Sequence, residues 1–311
     1  MTKNLIWIFP DFVIVLNITF YENCVYASTK DFKEDQALIQ DIAPHIFHNE
    51  YAEKEPQPDS TAIVIQDSAV LVREDKGEFS FPKYSQITPE DKKPIFLFTI
   101  DDIDYFWIDG MNITAPEGFH YSSRSLFRSL KPKYLAFAGL TALHLISWYQ
   151  TNRFCGCCGR PLEHDHKERM LRCSYCSNMV YPRINPAVIV AVTNGSKLLM
   201  TKYAGREYTN YALVAGFTEI GESIEETVRR EVMEETGIRV KNITYYKSQP
   251  WAMTSTLLMG FFCELDGDDT LHMDEEELSL AVWMERDEII ANDEDFSLTN
   301  EMICEFKNKL K

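Results

Sequence analysis

The chain has 311 residues, 45% hydrophobic and 25% charged, with a formal net charge of −17, the balance of an ordinary soluble protein long enough for two domains. That charge excludes a surface built to hold nucleic acid non-specifically, which needs clustered Lys and Arg to displace phosphate counterions. The eight cysteines do not suggest a disulfide scaffold, because four of them fall in two C-x-x-C pairs. Reduced thiols imply a reducing compartment, and a cytoplasmic location is expected.

At the N-terminus, Lys3 precedes an apolar run from Leu5 to Phe20 that ends near Tyr26-Ala27-Ser28, the outline of a secretory signal. The run holds Pro10, Asp11 and Asn17, and at about sixteen residues it is short for a membrane span. Residues 1–37 are therefore read as a peripheral extension, attributable to where translation was judged to begin, and no membrane association is expected. Globular sequence starts near Leu38-Ile39-Gln40.

Residues 38–150 read as a small β-rich domain with a linking helix. Thr61–Gln66, Ala69–Arg73, Ile95–Ile100 and Tyr105–Ile108 are short β-prone runs separated by Asp, Gly, Pro and Lys. Leu135 to Gln150 lacks proline and spaces its apolar groups as a helix does.

Residues 151–184 form the next unit. Cys155 and Cys158 give one C-x2-C pair and Cys173 and Cys176 a second, fourteen residues on. Each pair suits one tight knuckle, and two knuckles complete a tetrahedron of thiolates around one zinc ion. Cys157 is the spare, since the second pair shows the same two-residue gap as Cys155 and Cys158. A four-thiolate site leaves no open position, so this zinc is expected to be structural. Six Lys or Arg against three Asp or Glu between Thr151 and Pro186 leave open a nucleic-acid-reading ribbon, although four thiolates on Zn(II) largely cancel that excess. His164 and His166, on the connecting loop, are read as surface residues.

A further domain, 185–311, opens with Ala187–Val192, a continuous apolar run typical of a strand buried on both faces. Asn194-Gly195 supplies a hairpin turn and Lys197–Lys202 the partner strand. Ser223 with Glu226 is a capping-box signal for a helix start, and Gly237 sits where a left-handed glycine ends one. On that helix Glu231, Glu234 and Glu235 fall within about a 100° arc. Such a face is costly unless a cation occupies it, and hard divalent ions that bridge to phosphates suit its oxygens. Between Glu264 and Asp295 fourteen carboxylates face one base, Arg286, an acidic surface for the most part.

The segment Gly216 to Ile238 resembles the Nudix box, G-x5-E-x7-R-E-U-x-E-E-x-G-U with U aliphatic, at every specified position. The resemblance implies an α+β protein whose C-terminal domain is an α/β/α sandwich with a mixed sheet, holding Mg(II) or Mn(II) against a diphosphate. It implies Glu231, Glu234 and Glu235 as metal ligands and catalytic residues, Glu235 as the activator of water, and the Ala215 carbonyl as a further ligand. Arg230 and Glu222 would hold the loop's shape.

The cysteine quartet, Tyr181-Pro182-Arg-Ile-Asn-Pro186 and Ser248-Gln249-Pro250-Trp251 are similar, in order and spacing, to the NADH pyrophosphatases of that superfamily, which also remove NAD caps from RNA. By that similarity Tyr181 and Gln249, Pro250, Trp251, Ala252, Met253, Thr254, Ser255 and Thr256 would line the substrate site. Glu277 would be a further metal ligand, and Lys83 and Arg124 more distant substrate contacts. A homodimer is implied as well. Where the family continues with Pro-Phe-Pro-x-Ser, this chain has Ala252 to Thr256, which loses backbone stiffness and a stacking ring. The implied reaction is hydrolysis of NADH or NAD to nicotinamide mononucleotide and AMP. ADP-ribose or a dinucleoside polyphosphate as substrate, and a non-catalytic nucleotide sensor, are the alternatives.

Overall fold

Alternation of apolar side chains decides which residues enter which layer, and the computed structural model shows the outcome for residues 2–9, 12–19, 38–66, 69–87, 93–109, 113–128, 131–205, 210–290 and 296–308, the first two as backbone alone. Strands β1 (Thr2–Phe9) and β2 (Phe12–Thr19) pair antiparallel as a separate unit. The remainder of the expected 1–37 extension lies outside the described residues. Among those residues no helix is long and apolar enough to cross a membrane.

The β-prone runs after residue 38 become β3 (Phe47–His48), β4 (Thr61–Gln66), β5 (Ala69–Asp75), β6 (Glu78–Ser80), β7 (Ile95–Ile100), β8 (Ile103–Ile108) and β9 (His120–Ser123). They form one sheet in the order β3-β7-β8-β4-β5-β6, with β9 on β5. Period-two alternation sends Ile63, Phe98 and Trp107 to one face, where Ala138, Ala142 and Ile146 of helix α1 (Lys133–Thr151) pack. Ala62, Val64, Phe106 and Ile108 form a second core on the opposite face. The chain then crosses three short antiparallel strands, β10 (Glu163–His164), β11 (Leu171–Arg172) and β12 (Met179–Val180), which carry the cysteine knuckles.

The C-terminal sheet comprises β13 (Asn185–Asn194), β14 (Lys197–Tyr203), β15 (Val214–Phe217), β16 (Val240–Trp251), β17 (Thr256–Leu265) and β18 (Leu278–Glu285). Its order is β16-β17-β13-β14-β18 with β15 on β13; β13 and β17 run parallel and the other pairs antiparallel. Strand β13 is buried on both faces, as its unbroken apolar run predicts. Val188, Val190 and Val192 pack with Val228 and Val232 of α2 (Ile224–Thr236). Ile189 and Ala191 pack with Leu298, Met302 and Phe306 of α3 (Leu298–Asn308). This is the expected sandwich around a mixed sheet, and each fully buried valine contributes roughly 1.5–3 kcal/mol.

The first described residues after the hairpin do not stay with the sheet that follows them. Leu38, 1% exposed, completes the α3-side core beside Ile189 and Met302. The Gln40 amide donates to the Ser248 carbonyl at 2.9 Å. Ile39 and Ile42 join the core of the N-terminal sheet.

Candidate functional site

The loop between β15 and α2 and the first turns of α2 are built by side chains that satisfy each other. Ser223 Oγ accepts from the Glu226 N–H at 3.3 Å while the Glu226 carboxylate accepts from the Ser223 N–H at 2.8 Å, the reciprocal cap the sequence predicts. Gly237 takes φ 72°, and its N–H donates to the Met233 carbonyl, which stops the helix. Beyond that stop, the acidic segment folds back: the N–H groups of His272 and Asp274 donate to the Thr236 and Glu235 carbonyls at 2.9 and 3.0 Å. Helix carbonyls that would otherwise lack partners are satisfied, and Glu277, at the end of that segment, is near enough to act on Glu231 as a like charge.

On that face Glu231 and Glu235 are buried against the sheet, and Glu234 is exposed. Arg230 crosses the cluster. Its Nη1 donates to Glu231 at 2.8 Å and Glu234 at 2.9 Å, its Nε and Nη2 grip Glu222 at 2.5 and 2.9 Å, and Nη2 also reaches the Phe217 carbonyl at 2.9 Å. Glu222 accepts in addition from the Glu219 N–H and the Thr227 hydroxyl. The Arg230 guanidinium, helped by those donors, holds the Glu222 carboxyl down to about 2. Glu231 is shifted upward, first by burial and against the pull of Arg230, with Glu234 and Glu277 adding like charge. Arg230 and Glu222 thus staple the loop to the helix, as the resemblance implies.

Gly216, on β15, lies directly against Glu231: a Cβ there would overlap the carboxylate. The backbone of β15, with Ala215 one residue before, therefore approaches the acidic face as closely as glycine permits. Carboxylate oxygens are the donor type a hard divalent cation takes, but among the described residues only the cysteine quartet brings three or more such ligand atoms within 4.8 Å of one another, and Arg230 lies between Glu231 and Glu234.

The cysteine quartet is assembled. The four Sγ atoms of Cys155, Cys158, Cys173 and Cys176 lie within 4.8 Å of one another, with Cys155–Cys176 and Cys158–Cys173 each at 3.5 Å. Tetrahedral zinc with bonds of about 2.3 Å separates its sulfurs by about 3.8 Å, so the quartet matches a structural zinc. N–H groups of Cys158 and Cys157 aim at the Cys155 sulfur and bring its thiol down to about 6. Cys157 itself is exposed.

The residues assigned to substrate contact are less uniform. Ala252–Thr254 form a single 3-10 turn after β16, with Trp251 half-buried and Pro250 and Met253 exposed. Gln249 and Thr256 are buried instead. The Gln249 amide donates to the Phe296 carbonyl and accepts from the Leu298 N–H, both at 2.8 Å, and so fastens β16 to the start of α3. A glutamine in a motif of exposed residues gives no sequence signal of that role. Tyr181 is exposed, its hydroxyl 2.9 Å from Glu168 within the ribbon. Lys83 and Arg124 are exposed in the N-terminal domain, Lys83 bridged to Thr61 and Arg124 at the head of a short 3-10 helix.

Comparison with known proteins bears on residues 150–306. Residues 183–306 match the NUDIX domain model and residues 150–181 the NADH pyrophosphatase zinc ribbon domain. Photobacterium profundum has an NAD-capped RNA hydrolase NudC 36% identical over 190 residues, covering 61% of this chain and 70% of that protein. The Pectobacterium atrosepticum protein of the same name is 38% identical over 147 residues, covering 47% of this chain and 56% of its own length. The chain thus spans little more than half the length of several of the curated relatives it matches. A crystal structure of a NUDIX hydrolase from Nitrosomonas europaea has a TM-score of 0.44 at 22% identity, over 50% of this chain and 92% of that one. With its box intact and its thiolate knuckles in place, the chain belongs to the Nudix hydrolase family, in the group that carries the NADH pyrophosphatase zinc ribbon.

Proposed function

We propose that this chain hydrolyses the diphosphate linkage of NADH or NAD to nicotinamide mononucleotide and AMP, with Mg(II) or Mn(II), and removes NAD caps from RNA. The observation that carries this reading is the carboxylate face of α2 with Gly216 lying directly against Glu231. Glu231, Glu234, Glu235, Glu277 and the Ala215 carbonyl would hold the cations, which when bound polarise phosphate oxygens and lower the pKa of water. Glu235, buried at the sheet side of the helix, would take the proton of the attacking water. Arg230, fixed by Glu222, would keep Glu231 and Glu234 aligned through the reaction. Tyr181 and Pro250 to Thr256 would hold the nucleotide, and Lys83 and Arg124 the more distant phosphate or RNA. In this division residues 185–311 are the catalytic domain, 151–184 a zinc clamp and 38–150 a β-rich flank, in a homodimer.

The names of the curated relatives support the substrate class. The turn at Ala252–Thr256, which lacks the stiffening prolines and the stacking ring of the family pattern, favours a second reading in which ADP-ribose or a dinucleoside polyphosphate is preferred. Turnover of NADH, NAD-capped RNA, ADP-ribose and a dinucleoside polyphosphate by the purified chain with Mn(II) decides between them. Faster cleavage of ADP-ribose than of NADH would overturn the first reading. Sedimentation of the same preparation tests the dimer.

A further inference from the structure

The turn that departs from the family pattern is held by hydrogen bonds where prolines would have stiffened it. Ser255 sits at φ 54°, ψ 45°, and its N–H closes the turn on the Ala252 carbonyl at 3.3 Å. The Thr254 and Thr256 hydroxyls meet at 2.7 Å, and Thr256 Oγ1 also donates to the Thr254 carbonyl. One residue outside the turn takes two consecutive carbonyls of it. The Asn185 N–H donates to Ser255 O at 2.7 Å, and the Asn185 side-chain amide donates to Thr254 O at 3.3 Å.

Asn185 is the first residue of β13, in parallel register with Thr256. Its neighbour Pro186 uses its carbonyl to accept from the Thr218 N–H at 3.1 Å, in the loop that leads from Gly216 to the carboxylate helix. The dipeptide Asn185-Pro186 therefore carries the turn on one residue and the catalytic loop on the next. Consecutive residues of a strand are separated by about 3.3 Å and cannot slide past one another. A shift of the turn against the carboxylates requires breaking one of these bonds.

We propose that Asn185 is a positioning residue that fixes the Ala252–Thr256 turn relative to the carboxylate helix, so that a nucleotide lying on the turn presents its diphosphate to Glu231 and Glu235. This rests on the diphosphate-hydrolase reading above. A turn free to move holds the nucleotide less tightly, and the loss falls first on ground-state binding.

The test is steady-state kinetics of the full chain with NADH, or with whichever diphosphate the wild type turns over best, for Asn185→Ala and Asn185→Asp. Alanine removes one side-chain donor, and KM is expected to rise about threefold with kcat within about twofold. Aspartate is nearly isosteric but turns an acceptor toward Thr254 O, and KM is expected to rise about tenfold. A merely structural role predicts the same ranking in the thermal midpoint, aspartate below alanine, with KM unchanged for both. KM within twofold of wild type for alanine, or loss confined to kcat and thermal midpoint, overturns the proposal. Should the aspartate variant not fold, Asn185→Ser and alanine give the same reading. A wild-type chain inactive on every diphosphate offered defeats the functional reading, whereas an active chain with indifferent Asn185 variants defeats only this one.

Discussion

Gly216 and Glu231 compete for one volume: the Glu231 carboxylate occupies the space a Cβ on residue 216 would need. Gly216→Ala must displace that carboxylate. Diphosphate hydrolysis is expected to fall by about a hundredfold or more, with far-ultraviolet circular dichroism unchanged, because Gly216 takes an ordinary strand position and only the close approach is lost. Activity near wild type would show that the carboxylate can move aside without consequence.

Glu235→Gln keeps the volume and removes the base. Turnover is expected to drop by about a thousandfold, within the range that a positioned general base supplies, while thermal unfolding stays that of the wild type. Product formation at the wild-type rate would take Glu235 out of its assigned role.

Arg230 and Glu222 act as a unit, since the arginine reaches Glu231 and Glu234 from the grip of Glu222. Glu222→Gln and Arg230→Met should each lower kcat, and the double variant should be little worse than the poorer single one. Strict additivity in the measured cycle would mean the two residues serve separate purposes.

Replacing Cys155 and Cys173 with serine should cost the ribbon its zinc and lower the thermal midpoint, because metal binding at a closed thiolate site is coupled to folding. Metal analysis alongside calorimetry checks both halves. Cys157→Ser should change neither, which separates the four ligands from the exposed spare.

Two histidines of the ribbon should titrate on opposite sides of the ordinary value. His166, hydrogen-bonded to Glu53 at 2.7 Å, is raised, and His164, exposed at one side but stacked on Tyr149 at the other, is lowered because that packing strips water from the ring. The His166 pair contributes stability that is complete below about 6.5 and lost as pH rises through its folded value. For His164 the unfolded chain binds the proton more readily, so stability falls as pH drops below about 6.5 toward the folded value. Imidazole resonances followed by NMR between pH 5 and 8 should show the two midpoints in that order.

Much of this was legible before any coordinates. The unbroken run at Ala187–Val192, the Ser223–Glu226 cap and the Gly237 stop are local rules, satisfied by neighbours in sequence, and each appears where expected, whereas the hairpin turn falls one residue later than Asn194-Gly195, on Gly195-Ser196, because Asn194 stays in the strand opposite Lys197. The thiolate quartet was legible for the same reason. What escaped were partnerships between distant segments: His272 and Asp274 on the end of α2, Gln249 on α3, and Asn185 on the turn. Polar residues in loops look alike until the fold supplies a partner. The resemblance groups Gln249 with its neighbours at the substrate site, and only burial reveals that its amide is committed to the start of α3.

Leu38 bears on how the molecule can be divided. It is a core residue of the C-terminal sandwich that arrives from the other end of the chain, wedged beside Ile189 and Met302. A fragment cut at Asn185 would keep every carboxylate and every strand of its sheet, yet lack the plug that fills the space between β13 and α3. Burial of a leucine is worth roughly 1.5–3 kcal/mol, and a cavity in its place costs more. The two folds are sequential in the gene but interlocked in the solid, so the catalytic piece is better regarded as borrowing part of its interior than as a transplantable module.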